Sequence, residues 1–350
     1  MIDGTIAMRA AVAATAALLL AAPAASAAES FFAGKTEVII AGYRPGGGID
    51  GMARLIARHL GQFIPGKPEI LVKNIAGAAG NVAANHLYSK ADKDGLTLGV
   101  PGRTWMLSKL FGDPGVRFDA KKFTYIGSAG PVNNKLWVRS DLGIKTFEDL
   151  KNFKRKLIFG ALALRATNGS IPLILGHDGL PITVLPGYKG TSSVMLAIEQ
   201  KEVDGMLTGD DTFRANRGDL IDDKVVIPIL QSTPEVKGVP LIEDIVSPKS
   251  KALYQLAAAT ERFGVPLIGP PGIPADRAAT LRKAFVDMSR DKSFIADAKK
   301  VSLPVGEAIE GEALKKMVAD TIDHATPEVV KQFNDYTASP GARGGKGKKR

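Results

Sequence analysis

Glu37-Val38-Ile39-Ile40-Ala41, running into Gly42-Tyr43-Arg44-Pro45-Gly46-Gly47-Gly48-Ile49-Asp50, is the stretch that decides the fold of this chain. Its first five residues read as a buried strand, and Gly42 to Gly48 as a turn. From Asp50 a helix opens, with Met52, Leu55, Ile56 and Leu60 on one apolar face at the 3.6-residue period. Glycines let a backbone turn tightly and approach a ligand. A helix start adds unpaired N–H donors and a partial positive charge. Two readings of the loop stand side by side: an anion site, or a tight turn with Asp50 as helix cap.

The unit repeats. Residues 69–73 form a second strand, Asn74-Ile75-Ala76-Gly77-Ala78-Ala79-Gly80 a second loop of small residues, and a helix follows from Asn81. A third strand, 96–100, ends at Pro101-Gly102. Strand, loop and helix in succession predict an α/β fold: a mainly parallel sheet with helices on both faces. Two such loops at strand carboxyl ends converge on one crevice, where open α/β sheets bind ligands. Neither loop carries a dinucleotide or phosphate-loop fingerprint.

A second set of elements follows. Strands are expected at 136–138, 157–160, 182–185, 205–207 and 225–230, a helix start capped by Thr146, and a helix over 191–200. Near the end, Pro274 sits in a first turn ahead of an apolar stripe from Ala278, Leu281, Ala284, Phe285 and Met288. Residues 312–333 read as one helix bent at Pro327.

At 350 residues the chain exceeds one ordinary core, so two domains are expected. Cysteine is absent, which excludes disulfides, thiolate metal sites and cysteine nucleophiles. The net charge is +10, but Arg343, Lys346, Lys348, Lys349 and Arg350 crowd the tail and leave the body only moderately basic. Residues 338–350 combine Pro, Gly and charge without apolar pattern, the composition of a disordered tail. The tail has no aromatic residue, which argues against nucleic-acid binding. At the other end, Arg9 precedes an alanine- and leucine-rich run that closes on Ala25-Ser26-Ala27. These are the parts of a secretory signal over 1–27, cut after Ala27. The run is short for a span and Pro23 breaks it, which weighs against a membrane anchor. Met8 offers an alternative start.

Catalytic constellations are thin. His59, His86, His177 and His324 are scattered without metal-ligand spacing, and His59 and His86 read as packing or surface residues of helices. No Gly-x-Ser-x-Gly elbow occurs. Asp210-Asp211 is either a carboxylate pair or a helix cap after Gly209. No metal or cofactor is expected.

An ordered series of short motifs resembles the substrate-binding receptors of tripartite tricarboxylate transporters, also called Bug-type receptors. Tyr43, Pro45, Gly46, Gly47 and Asp50 match their first loop, and Asn74 with Gly77-Ala78-Ala79-Gly80 their second. Asp94-Gly95-Leu96-Thr97-Leu98, residues 123–127, Tyr188-Lys189-Gly190, Val203-Asp204-Gly205 and residues 270–274 follow in family order, from about Thr36 to Thr337. The resemblance implies a two-lobed periplasmic binding protein, type II-like, with a hinge. Its first lobe would be 30–130 plus 255–337 and its second 131–254. It implies a monomer that captures a small carboxylate and delivers it to membrane subunits of a tripartite tricarboxylate-type transporter. The carboxylate would meet Gly47, Gly48, Ile49, Asp50, Ala78, Ala79 and Gly80, beside Tyr43. The second lobe would add Thr167, Asn168, Gly169, Ser170, Tyr188 and Asp210.

Departures from the family bear on the solute. Arg44 replaces a small residue or proline, Gly48-Ile49 a small-Thr pair, and 161–170, with Leu162, Leu164 and Arg165, a Ser/Gly-rich loop. Arg103 and Trp105 follow the third strand. These favour an anion with an apolar body, such as a dicarboxylate or aromatic acid. Arg44 and Arg103 are either partners for a second carboxylate or solvated arginines, and Asp210 could instead receive an amine. Two rival functions remain: a periplasmic sensor presenting a carboxylate to a membrane signalling protein, and an exported α/β enzyme.

Overall fold

The computed structural model describes residues 31–338. The expected signal, 1–27, and the expected basic tail beyond Ala338 lie outside the described residues. Within them the chain runs β1 Thr36–Ala41, α1 Gly48–Leu60, β2 Glu69–Asn74, α2 Asn81–Ser89, β3 Thr97–Val100 and β4 Thr124–Ser128. It continues through β5 Asn134–Arg139, α3 Phe147–Lys151, β6 Leu157–Ala161, α4 Thr167–His177, β7 Ile182–Pro186 and α5 Thr191–Glu199. Then come β8 Gly205–Gly209, α6 Asp210–Asp222, β9 Val226–Gln231, α7 Ile242–Ile245 and α8 Lys251–Phe263. β10 Pro266–Gly269, α9 Ala275–Arg290, α10 Lys292–Lys300, β11 Ile309–Glu310, α11 Gly311–His324 and α12 Pro327–Thr337 complete it.

The strands form two sheets of one design. In the first, of order β11-β4-β10-β3-β1-β2, β1 lies between β2 and β3 and is parallel to both. In the second, of order β7-β6-β8-β5-β9, β6 lies between β7 and β8 in the same way. Each sheet then takes an antiparallel strand that arrives from the other: β10 in the first, β5 in the second. The sheets are therefore mixed, not mainly parallel. A strand entering from the end where the parallel strands finish must run against them.

Both faces of each sheet are covered, as parallel strands require. Ile39 packs with Met52, Leu55 and Ile56 of α1 and with Phe285, while its neighbour Ile40 packs with Leu87, Trp105 and Phe123. The Ile40 cluster continues without a break into Leu136, Leu157 and Phe159 of the second sheet, through Leu253, Leu256 and Ala259 of α8. The helix α8 packs on α4, α11 and α12, so it backs both sheets. Pro327 does not bend a long helix: it starts α12, with Thr326 as its cap, and separates it from α11. A proline at the first helical position forfeits no helix hydrogen bond, whereas one in the interior would.

Candidate functional site

Three loops leave the carboxyl ends of β1, β2 and β3 and meet at the Pro101 carbonyl. A β-carbon at Gly42 would lie 2.2 Å from that oxygen, and one at Gly80 2.1 Å from it. No side chain fits at either position, so the approach of the three loops rests on glycine.

The first loop ends in α1, whose cap is Gly47, not Asp50. The first helical bond runs from Gly51 N–H to Gly47 O, which leaves the N–H groups of Gly48, Ile49 and Asp50 without helical acceptors. Gly47 and Gly48 are exposed. The Asp50 side chain is buried and faces the protein. It accepts from Gly46 N–H (3.0 Å), Arg54 Nε (2.9 Å) and Asn74 Nδ2 (2.7 Å). Burial alone would raise this carboxyl, but the three donors outweigh it and hold it at about 2. Asn74 also donates to Tyr43 O (2.8 Å) and accepts from Arg54 Nη2 (3.1 Å). Asp50, Asn74 and Arg54 thus clamp the two loops together. Sequence reasoning missed this role for Asn74 and Arg54. The signal lay in the register, since in-phase parallel pairing sets Asn74 against Ala41.

The second loop is a run of left-handed residues: φ is 147° at Gly77, 45° at Ala78, 53° at Ala79 and 96° at Gly80. Such a run gathers successive N–H groups on one side, as anion-binding nests do. Gly80 N–H is used by Gly77 O, whereas those of Ala78 and Ala79 lead the turn and have no acceptor within it. The left-handed form costs an alanine roughly 1–2 kcal/mol. Ala79→Gly should therefore raise stability in urea unfolding by about 0.5 kcal/mol, after glycine's own entropy loss is deducted. A loss of stability would show that the loop is not left-handed in solution.

The third loop carries Arg103. The ring of Tyr43 lies against Gly102, where a β-carbon would come within 2.8 Å of it. Burial raises the Tyr43 phenol and lowers the Arg103 guanidinium, and the Arg103 charge opposes the shift at Tyr43. Arg103 makes no hydrogen bond or ion pair among the described residues. Arg44 is exposed.

Compared with solved structures, the chain is similar to a TctC solute-binding protein from Polaromonas, with TM-score 0.67 and 15% identity over 86% of this chain and 99% of that one. It is also similar to MatC from Rhodopseudomonas palustris with bound malate, with TM-score 0.57 and 19% identity over 87% and 99%. A third is an R. palustris protein with adipate, with TM-score 0.61 and 18% identity over 87% and 97%. The fold is that of a solute-binding protein. No family model and no curated protein matches the chain.

In this two-lobed solute-binding fold the second sheet offers its own strand ends. The first helical bonds of α4 run from Gly169 and Ser170 to Ala166 O, so Thr167 and Asn168 keep free N–H groups. The Thr167 hydroxyl meets Thr260 (3.0 Å), and Asn168 Oδ1 is buried without a donor. Gly169 and Ser170 are buried beneath that surface. The Tyr188 ring packs beside Gly160, against the second-sheet core, and its phenol is raised by burial and by Glu202. Asp210 is the first residue of α6, capped by Gly209. It is held by Arg214 Nε (2.9 Å) and lies 3.6 Å from Lys135 Nζ. Its carboxylate is thus shared between two cations of its own lobe. Lys135 is a buried cation that sequence reasoning passed over; it pairs with Glu235 at 2.7 Å.

The two halves touch beside these loops. Arg165 pairs with Asp113 (2.6 Å), donates to Asn334 Oδ1 (2.9 Å) and lies over the Phe111 ring. His59 packs edge-on to Phe294 and pairs with Asp297 (3.1 Å), as a packing residue does. Among the described residues no group of three His, Asp or Glu side chains is placed to hold a metal ion.

Proposed function

We propose that the chain is an exported, non-enzymatic receptor of the periplasm that captures a small carboxylate between two lobes and delivers it to membrane subunits of a tripartite tricarboxylate-type transporter. In this reading residues 30–130 with 255–337 form one lobe and 131–254 the other, and α8 and α12 back both. One observation carries it: five N–H groups of Gly48, Ile49, Asp50, Ala78 and Ala79 lack internal acceptors on two clamped loops beside Arg103. Donors fixed in this way suit a carboxylate and cost little reorganisation on binding. The malate and adipate named with two proteins of this fold are small dicarboxylates, in keeping with that chemistry. A secretory leader over 1–27 would route the chain to the periplasm. Lobe closure would exclude water and strengthen the donors, and the membrane partner would read the closed form.

A thermal-shift screen of mono-, di- and tricarboxylates and aromatic acids tests this. A ligand at 100 times its dissociation constant adds about 2.7 kcal/mol. A β-carbon at Gly48 meets open space, so Gly48→Trp should fold normally and lose the shift. Retained binding by Gly48→Trp would remove the first loop from the site. If no carboxylate raises the melting temperature, the receptor reading fails.

A further inference from the structure

The chain passes between the sheets at residues 129–133 and again at 264–265, and the two crossings touch. A β-carbon at Gly264 would lie 2.0 Å from Gly130 O. Glu261, in the last turn of α8, ties them. Its carbonyl accepts from Val132 N–H (2.9 Å) and Gly264 N–H (3.1 Å). Its carboxylate accepts from Asn134 Nδ2 (2.6 Å) and from the Ser232 hydroxyl, which in turn accepts from Asn134 N–H (2.8 Å). The residue is 5% exposed.

The charges that act on this carboxylate are few. The charge of Arg103, on the loop after β3, acts on it without a direct contact, as does that of Arg262, next to it on α8. Tyr254 and Glu243 line the small cavity that Glu261 also lines. The start of β5 with the residue before it, and the segment after β9, present neutral Asn133, Asn134, Ser232 and Thr233. On α8's other sides, α4 brings Thr167 to Thr260, while α11, α12 and the cap between them bring Asp320, His324, Val329 and Thr326 to a groove shared with Arg262. Burial pushes the carboxyl up to about 7, against the pull of Asn134, Ser232 and the two arginines.

We propose that Glu261 takes a proton from solvent when an anionic solute settles beside Arg103, so that the receptor captures solute and proton together. The physical cause is competition for one cation. In the empty cleft the unpaired Arg103 guanidinium favours an ionised Glu261. A solute carboxylate beside Arg103 cancels that field and adds its own repulsion, which tips the buried group to its neutral form. Protonated Glu261 still accepts from Asn134, so the crossing keeps its hydrogen bond. The proposal rests on the receptor reading above.

Calorimetry of the full chain tests it, with malate and adipate as probes at pH 7 in phosphate and in Tris, whose ionisation heats differ. A one-unit upward shift of a group titrating near 7 takes up about 0.4 proton per solute at pH 7 and almost none at pH 5. Glu261→Gln should bind within about threefold of the wild type, with heats independent of buffer. Arg103→Met supplies a second arm: weaker binding and no proton uptake. Equal heats in the two buffers for the wild-type chain would overturn the proposal, as would proton uptake that persists in Glu261→Gln. Absence of binding heat with every carboxylate tried would overturn the receptor reading itself and this inference with it.

Discussion

Replacing Glu37 with methionine should stabilise the protein by about 3 kcal/mol more at pH 8 than near pH 4.5. Glu37 is fully buried in β1, and neither carboxyl oxygen has a hydrogen-bond partner. Burial, helped by Asp94, pushes its carboxyl up from 4.5 to about 8. The folded form therefore holds a proton that the unfolded chain releases. Stability is fully present below about pH 4.5 and is lost as pH rises towards 8. Each pH unit within that window is worth about 1.4 kcal/mol. Relaxation and water entry around the group reduce the sum to about 3 kcal/mol. Methionine matches the side chain in length and carries no charge. Urea unfolding of both proteins across pH 4.5–8 measures the difference, and parallel stability curves would show that Glu37 is not neutral in the fold. The residue lies near the start of β1, away from the Gly42 loop, so the variant should bind solute as the wild type does.

Asp50→Ala should have the opposite result: a loss of about 3 kcal/mol and no measurable solute binding. The change strands Gly46 N–H, the Asn74 amide and the Arg54 guanidinium at once. It also frees the first loop from the second. The Arg54 side chain is 48% exposed, so its ion pair with Asp50 is screened by solvent. Arg54→Met should accordingly cost no more than about 1 kcal/mol and weaken binding only modestly. Unfolding and calorimetry on the two variants separate these outcomes. Unchanged affinity in Asp50→Ala would mean that the loops hold their shape without the clamp.

The parts of this molecule legible in its sequence are those fixed by local chemistry. The apolar run of β1, the helical spacing after Gly48 and the small-residue loop before Asn81 each announce themselves within a dozen residues, because periodicity and glycine act at short range. The direction of β5 and β10 does not. Leu136-Trp137-Val138 has the same apolar pattern whichever way it pairs, and only the crossing from the other sheet sets it antiparallel. Pro327 likewise fixes a boundary but not whether the helix bends or stops there. At the site, the glycines of the loops were legible and the side chains that hold them were not. Asp50 reads as a cap by type, yet its partners lie at Gly46, Arg54 and Asn74, and the last is brought near only by strand register. Glu261 is 127 residues from Asn134, and nothing local marks it as more than one helical glutamate among many.

The Pro101 carbonyl, set against Gly42 and Gly80, divides the cleft by what mutation can reach. Those two positions admit no side chain at all. The floor of the cleft is therefore closed to variation, whatever solute the protein comes to prefer. If these loops hold the solute, change of ligand would come from the rim, where Tyr43, Gly47, Gly48 and Ala79 stand exposed, and from Arg103 beside it. On the proposed reading, one scaffold could then acquire new solutes by single substitutions, with no need to rebuild the donors assigned to their shared carboxylate.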